Sequence, residues 1–177
     1  MNEAFRKALK FVLKWEGGYT PPQPGDPNPT NYGIIQRVYD SWRKEKGLPT
    51  RSVKEITMQE VEQIYWERYW LPAKCELVKS LPAKMVLFDT CVNMGLGGMT
   101  TLLRKTLNKL GYPSTGELTK LIEQVNKIDP LKFAQVFLEE RRARYRAIAQ
   151  NNPAKARFLK GWLNRVNDLE KTIKEVK

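Results

Sequence analysis

Apolar residues recur at helical spacing along most of the chain, which predicts a mainly α protein. The first helix covers residues 2–15 and carries a narrow apolar stripe. Capping boxes, in which a Ser or Thr is followed three residues later by a Glu, predict helix starts at Thr57 and Ser114. Together these signals predict further helices over residues 34–46, 57–70, a short segment from Pro72, 83–94, 99–110, 114–127, 130–150 and 153–175.

The segment 17–33 breaks the helical pattern because it contains five prolines. Proline cannot donate a hydrogen bond to a β ladder, so the segment is predicted to be an ordered loop or a short, irregular hairpin. No internal repeat interrupts the rest of the chain. We therefore predict a single domain over residues 1–177, with subregions 1–97 and 98–177.

Composition narrows the chemistry that the chain can perform. Its 177 residues include no histidine, which excludes a Ser–His or Cys–His catalytic pair and a histidine-containing zinc site. The two cysteines, Cys75 and Cys91, are too few for a disulfide framework or a cysteine-only metal site. An enzyme of this composition has to use carboxylates, hydroxyls, Lys or Tyr, and we expect neither a metal nor another cofactor.

Positive charge is concentrated in the second subregion. The 31 Lys and Arg residues outnumber the 19 Asp and Glu residues, for a net charge of +12. Residues 141–167 contain eight basic side chains and no acidic one. Two interpretations stay open: a solvated helix face, or a surface that attracts a polyanion such as nucleic acid, an anionic membrane or an acidic cell-wall polymer.

Glu16 is the most informative single residue. It continues the stripe formed by Phe5, Leu9 and Val12, so a carboxylate occupies the apolar face of the first helix. It also lies at the helix C-terminus, where the macrodipole disfavours negative charge. Both placements suit a general acid that holds a proton near neutral pH. The alternative is a Glu paired with a Lys or Arg beneath the adjoining loop.

Asp26 and Thr30 follow in the proline-rich segment and are candidates for a second catalytic group. A stiff loop can hold a carboxylate and a hydroxyl opposite Glu16, and glycosidic cleavage uses two carboxylates in unlike environments. We expect the two carboxyl groups to lie about 6.5–9.5 Å apart, which favours inversion of stereochemistry. The alternative role for Asp26 is that of a turn-forming residue before Pro27.

Asp89 and Asn93 interrupt an otherwise apolar helix at i and i+4, so they share one face. They either bind substrate at a cleft or form a buried polar pair, and both interpretations stay open. Four aromatic residues precede them at helical spacing and either stack on sugar rings or belong to the core: Tyr65, Trp66, Tyr69 and Trp70.

Several motifs, in this order along the chain, resemble one family. They are Trp15-Glu16-Gly17-Gly18-Tyr19, Asp26-Pro27, Thr30-Asn31-Tyr32-Gly33-Ile34, Tyr65 with Tyr69-Trp70, Phe88-Asp89 followed by Val92-Asn93 and Gly95, and Phe158-Leu159 followed by Gly161-Trp162-Leu163-Asn164-Arg165-Val166. The family is glycoside hydrolase family 108, lysozyme-like N-acetylmuramidases found among phage endolysins and bacterial secretion-activator proteins. The last motif resembles the peptidoglycan-binding region usually fused to it.

The resemblance implies a lysozyme-like helical globule that cleaves the β-1,4 bond between N-acetylmuramic acid and N-acetylglucosamine. Glu16 matches the family's catalytic glutamate, and Asp26 and Thr30 match the groups that hold water in phage-type lysozymes. Tyr32, Asp89 and Asn93, which all lie within the matching motifs, are the candidate substrate-binding residues. The expected partner is the peptidoglycan glycan strand, bound by a monomer, with no nucleic acid and no membrane insertion.

Two other functions stay open. A small basic helical nucleic-acid-binding protein explains the charge but not Glu16. The second alternative is a wall-binding protein of the same fold that has lost catalysis; the presence of Glu16 argues against it, and an activity assay decides. The apolar positions of residues 1–18 are interrupted by four basic side chains, unlike a signal peptide, and no segment reaches the about 18 consecutive apolar residues of a membrane span. We expect synthesis in the cytoplasm and action on the cell wall after release by a holin or by lysis.

Overall fold

The computed structural model describes residues 1–176 and contains, in that range, seven α-helices and one two-stranded sheet. The predicted mainly α, lysozyme-like fold class is confirmed. The α-helices are α1 (Glu3–Glu16), α2 (Gln36–Glu45), α3 (Met58–Tyr65), α4 (Leu81–Lys109), α5 (Leu118–Val125), α6 (Pro130–Asn151) and α7 (Leu159–Glu175). Shorter turns are the 3-10 helices Val53–Glu55, Cys75–Leu77 and Pro153–Phe158 and a π-helical turn, Trp66–Trp70.

Of the two predicted capping boxes, one is confirmed and the other is wrong. The capping box at Thr57 is confirmed, because its hydroxyl accepts the N–H of Glu60 and the Glu60 side chain accepts the N–H of Thr57. The capping box at Ser114 is wrong: α5 begins at Leu118. Arg104 explains the difference, because its guanidinium donates to the carbonyls of Ser114 (3.0 Å) and Gly116 (2.8 Å) and holds this stretch outside the helix.

Other predicted helices are present with different boundaries. The predicted helices 83–94 and 99–110 lie in the two halves of α4, which the non-helical backbone of Gly95 (φ 79°, ψ 168°) separates. The short helix predicted from Pro72 is the 3-10 turn Cys75–Leu77. The helix predicted from Pro153 begins as a 3-10 helix and becomes α-helical at Leu159.

A short hairpin follows the proline-rich stretch, as predicted. Strand β1 (Thr30–Asn31) pairs antiparallel with β2 (Ile34–Ile35), and the two residues between them, Tyr32 (φ 51°) and Gly33 (φ 75°), both have positive φ, as the type I′ turn requires. The buried Asn31 amide anchors the hairpin by donating to the carbonyls of Val53 (3.2 Å) and Lys54 (3.3 Å).

Two compact units make up the chain, Met1–Arg68 and the remainder from Tyr69. In the first unit α1 and α3 bury their apolar faces, including Phe5, Val12 and Ile64. In the second, α4, α6 and α7 pack on one another. The boundary between these units, after Arg68, lies earlier in the chain than the predicted boundary after residue 97. The subregions 1–97 and 98–177 stay a prediction.

Helix α4 is the most apolar long element of the second unit. Within residues 1–176 it is the one helix whose length and apolar composition match those of a membrane span. Half of its most apolar 18-residue window is buried inside the protein, and core helices have the same length and composition.

Candidate functional site

Glu16 is the last residue of α1 and lies at the end of the apolar stripe that the sequence predicts. Phe5, Leu9 and Val12 are buried, whereas Glu16 is partly buried. Gly17 ends the helix with a positive φ of 72°, and its N–H bonds to the carbonyl of Leu13 at 3.4 Å. The carboxylate therefore lies where the buried face of the helix meets the surface.

The hairpin turn lies directly against this carboxylate. A Cβ placed on Gly33 would lie 2.7 Å from Glu16 Oε2, 2.7 Å from the Tyr65 hydroxyl and 2.9 Å from Glu16 Cβ. These distances are too short for any side chain, so only glycine fits the turn without displacing its neighbours. Gly33 therefore sets how closely the hairpin approaches Glu16.

Tyr65, from the end of α3, holds the same turn in place. Its hydroxyl donates to the carbonyl of Tyr32 at 2.7 Å, and Tyr65 is buried. Tyr32 has a positive φ of 51°, which is strained for a residue with a bulky side chain, so this hydrogen bond stabilises a turn that its own sequence does not favour. Three elements, α1, the hairpin and α3, thus fix the surroundings of Glu16.

Asp26 lies in an exposed turn. Its Oδ1 accepts from the backbone N–H (3.1 Å) and the side-chain amide (3.4 Å) of Asn28. Its backbone exchanges two hydrogen bonds with Gln23, at 2.8 and 2.9 Å. The turn-forming role left open by the sequence is therefore present, and Asp26 and Glu16 do occupy unlike environments. The separation of their carboxyl groups stays a prediction.

Thr30 and Tyr32 belong to the hairpin that touches Glu16 through Gly33. The backbone of Thr30 pairs with Thr20, with N···O distances of 2.8 and 3.0 Å, and both Thr30 and Tyr32 are partly buried. This pairing ties the proline-rich stretch to the edge of β1. The predicted catalytic hydroxyl and the predicted substrate-binding Tyr32 are thus carried by one small, braced element.

Asp89 belongs to the second unit and is 1% exposed. Arg141 Nη1 donates to its Oδ2 and Arg165 Nη2 to its Oδ1, both at 2.7 Å. Burial alone would raise the pKa of Asp89, but the two guanidinium groups hold it below its usual value. Of the two interpretations of Asp89, the geometry favours the buried one.

The basic segment 141–167 is not one continuous surface. Arg141, Arg142 and Arg165 are buried, and Arg142 binds Glu139, Glu170 and the side chain of Asn167. The expectation of eight surface charges is therefore corrected to five, because the fold uses three arginines to neutralise its own carboxylates. The exposed ones are Arg144, Arg146, Lys155, Arg157 and Lys160.

The aromatic cluster divides between core and partly exposed positions. Tyr65 and Trp70 are buried, and Trp66 packs edge-on against Phe5 with ring centroids 5.0 Å apart. Trp70 contacts Phe88 in the same way at 5.2 Å. These contacts favour the core interpretation for Trp66 and Trp70. Tyr69 is partly buried.

Residues suited to metal binding do not cluster in the part of the chain that the structure describes. Within residues 1–176 no three Cys, Asp or Glu side chains lie close enough to hold a metal ion together. Cys75 and Cys91 are free and buried, and burial raises the pKa of both thiols, which keeps them protonated.

Sequence reasoning missed two features around these residues. The contact of Gly33 with Glu16 and Tyr65 had no signal beyond the presence of a glycine in the motif. A buried network around Glu60, which accepts hydrogen bonds from Tyr39 (2.9 Å) and Arg43 (2.8 Å), was likewise not predicted. Both depend on residues that are distant in sequence.

Comparisons with known proteins show one family and one solved structure to which the chain is similar. The family model of glycosyl hydrolase 108 matches residues 9–95, a range that includes Glu16, the hairpin and Tyr65. A solved structure, "Structure of Brucella abortus SagA", superposes with a TM-score of 0.73 at 24% sequence identity, over 96% of this chain and 92% of that one, which shows a common fold. A comparison with curated proteins found no match.

Proposed function

Residues 9–95 belong to glycosyl hydrolase family 108, a family of peptidoglycan hydrolases, and on this premise we propose that the protein is an N-acetylmuramidase of the lysozyme type. It would cleave the β-1,4 bond between N-acetylmuramic acid and N-acetylglucosamine. The observation that carries the proposal is the carboxylate of Glu16 at the end of a buried apolar stripe, with the glycine turn of the hairpin against it.

Glu16 acts as the general acid in this proposal. It is the last residue of α1, where the buried apolar stripe of the helix meets the surface. A proton held on Glu16 passes to the glycosidic oxygen as the bond to the muramic acid C1 breaks, and the leaving sugar departs with a neutral 4-hydroxyl.

Asp26, assisted by Thr30, is the proposed partner that activates water. Water attacks C1 of the oxocarbenium-like sugar while Asp26 accepts its proton, so one proton is donated and one is recovered in each turnover. The exposed position of Asp26 gives its carboxyl group access to water. Tyr32, beside the glycine turn, is the proposed contact to the sugar on the hairpin side.

The direct test is the clearing of a suspension of bare cell walls, followed by identification of the new reducing ends. We expect muramic acid reducing ends, and we expect Glu16→Gln to lower the rate by at least about 100-fold, because an amide cannot donate an acidic proton. Glu3→Gln, an exposed change on the same helix, is the matched control and should keep full activity.

Four results would contradict the proposal. Full lysis by a folded Glu16→Gln protein would remove the general acid, and glucosamine reducing ends would assign a different bond. Wall binding without new reducing ends would identify the inactive wall-binding protein that the sequence left open. DNA binding in place of wall activity would support the nucleic-acid alternative, which loses three of its eight basic residues to the interior of the fold.

A further inference from the structure

A pocket of about 230 Å³ lies within the second unit, separate from the residues considered above as catalytic. It is formed by α4, α6, the 3-10 helix Pro153–Phe158 and α7. The side chains that carry the following argument are Asn93, Met94, Arg144, Tyr145, Lys155 and Trp162. None of the lining residues is acidic.

A buried chain of hydrogen bonds fixes the orientation of the Asn93 amide. Arg141 Nε donates to the Tyr145 hydroxyl oxygen at 3.1 Å, and an arginine can only donate. Tyr145 therefore directs its own proton to Asn93 Oδ1, with which it is hydrogen-bonded. The remaining polar group of the Asn93 side chain is then its NH₂, a donor.

The other polar groups of the pocket are also donors. Arg144 and Lys155 are exposed cations, and neither side chain has an ion-pair or hydrogen-bond partner among residues 1–176. Trp162 also lines the pocket, and the polar atom of its side chain is an indole N–H, which can only donate. A site with several donors, two positive charges and no carboxylate is complementary to an oxyanion, since charge-assisted hydrogen bonds are the stronger ones.

A flat aromatic wall adjoins these donors. The Tyr145 and Trp162 rings stack with centroids 4.9 Å apart and an interplanar angle of 21°. Phe158 extends the wall at 5.9 Å from Trp162 and is exposed. Together with Met94 this surface accepts the apolar part of a ligand whose charged end faces Arg144 and Lys155.

We propose that this pocket binds a free carboxylate of the short peptide that peptidoglycan carries on its muramic acid residues. The identity of the ligand rests on the proposed function, because the substrate then supplies carboxylates next to small aliphatic side chains. Phosphate groups of other wall polymers share the oxyanion chemistry, so the experiment includes them as a separate arm.

The test measures binding by calorimetry to a soluble disaccharide–tripeptide, N-acetylglucosaminyl-N-acetylmuramyl-tripeptide. This probe lacks the bond that a muramidase cleaves, so the intact protein can be used. A second probe has its carboxyl groups converted to amides, and a third is a glycerol phosphate oligomer. All three are measured at the same salt concentration.

The variants distinguish binding in the pocket from attraction by the overall positive charge of the protein. Arg144→Gln/Lys155→Gln should weaken binding of the free-acid probe by at least about tenfold. Arg146→Gln/Lys160→Gln removes two exposed cations that do not line the pocket. It should change the affinity for the free-acid probe by less than about twofold. Asn93→Asp keeps the acceptor for Tyr145 but replaces the donor with a negative charge, so it should weaken binding as strongly as the first pair.

Binding of the free-acid probe with the variant pattern above supports the proposal. Equal affinity for the amidated probe, or equal loss in both double variants, overturns it. Binding of the glycerol phosphate oligomer alone, lost in Arg144→Gln/Lys155→Gln, also overturns it and assigns the pocket to phosphate. A protein that binds the free-acid probe but does not lyse walls contradicts only the proposed function, so the two failures are distinguishable.

Discussion

Glu16 in the first unit and Asp89 in the second both place a carboxylate on the apolar face of a helix, yet their surroundings differ. Asp89 is enclosed, and guanidinium groups bind both of its oxygens. Glu16 is partly buried at the end of its helix, and the nearest part of the hairpin is a glycine that leaves no room for a side chain. The surroundings of Asp89 are those of a carboxylate that stabilises the fold, whereas Glu16 is the carboxylate that we propose as the general acid.

The difference comes from partners that are far away in sequence. Arg141 and Arg165 lie 52 and 76 residues from Asp89. In the same way, the neighbours of Glu16 come from distant elements: Gly33 lies in the turn of the hairpin, and Tyr65 lies at the end of α3. A carboxylate on an apolar stripe is therefore an ambiguous signal until its distant neighbours are known.

The largest expected effect is on the buried carboxylate. Asp89→Asn leaves two buried guanidinium groups without their counter-charge, and breaking such a site costs about 3–5 kcal/mol of unfolding free energy. Arg141 Nη2, which is already buried without a partner among residues 1–176, adds to that expectation. Urea unfolding of the purified variants measures the effect.

Two controls sharpen this comparison. Glu139→Gln removes an exposed partner of Arg142 and should change the unfolding free energy by less than about 1 kcal/mol. Glu16→Gln should likewise keep stability within about 1 kcal/mol while lysis is lost. If Glu16→Gln and Asp89→Asn destabilise the protein equally, the distinction between the two carboxylates is wrong.

The second prediction concerns the clearance between the hairpin and Glu16. Gly33→Ala places a methyl group 2.7 Å from the Glu16 carboxylate oxygen, so the carboxyl group has to move, and we expect a loss of about 10- to 100-fold in lysis rate. Gly47→Ala is the matched control, because Gly47 also has a positive φ (71°) but has open space around it.

Equal loss of activity in both glycine variants would show that backbone strain, and not the position of Glu16, is responsible. If instead both variants lose the same stability but only Gly33→Ala loses activity, the turn positions the catalytic carboxyl group. Activity and urea unfolding are therefore measured on the same preparations.

The sequence predicts most of the fold because helices and their ends depend on neighbours within a few residues. The stripe on α1 and the capping box at Thr57 are examples, and both are confirmed. Ser114 has the same local signal but fails because Arg104, from another helix, binds its carbonyl. Contacts of this long-range kind also decide the roles of Asp89 and the basic segment, so local patterns could not assign them.

Glu60 is the counterpart of Asp89 in the first unit and gives the third prediction. Burial alone would raise its pKa, but hydrogen bonds from the Thr57 N–H and from Arg51, Tyr39 and Arg43 lower it to about 2. A carboxyl group with a lowered pKa stabilises the fold above its unfolded value of 4.5, and this contribution is lost as the pH falls toward 2.

Between pH 5 and pH 3 the intact protein should therefore lose about 1–2 kcal/mol more unfolding free energy than Glu60→Gln. Urea unfolding at a series of pH values measures the slope of the unfolding free energy against pH. Glu123→Gln, an exposed change in the second unit, should keep the slope of the intact protein. A slope unchanged in Glu60→Gln would mean that Asp89 and other carboxylates carry the acid sensitivity instead.

The smallest expected effect concerns the attraction of the second unit to an anionic wall. Screening shortens the reach of exposed charges, so wall binding should weaken as salt rises to about 0.3 M. Arg146→Gln/Lys160→Gln should flatten this dependence and lower low-salt binding by about two- to fivefold, because both cations are exposed and belong to the basic segment. Lys10→Gln/Lys44→Gln makes the same charge change on the first unit and should have a smaller effect. Sedimentation with bare cell walls at several salt concentrations measures both pairs, and equal flattening would show that the wall responds to the total charge of the chain.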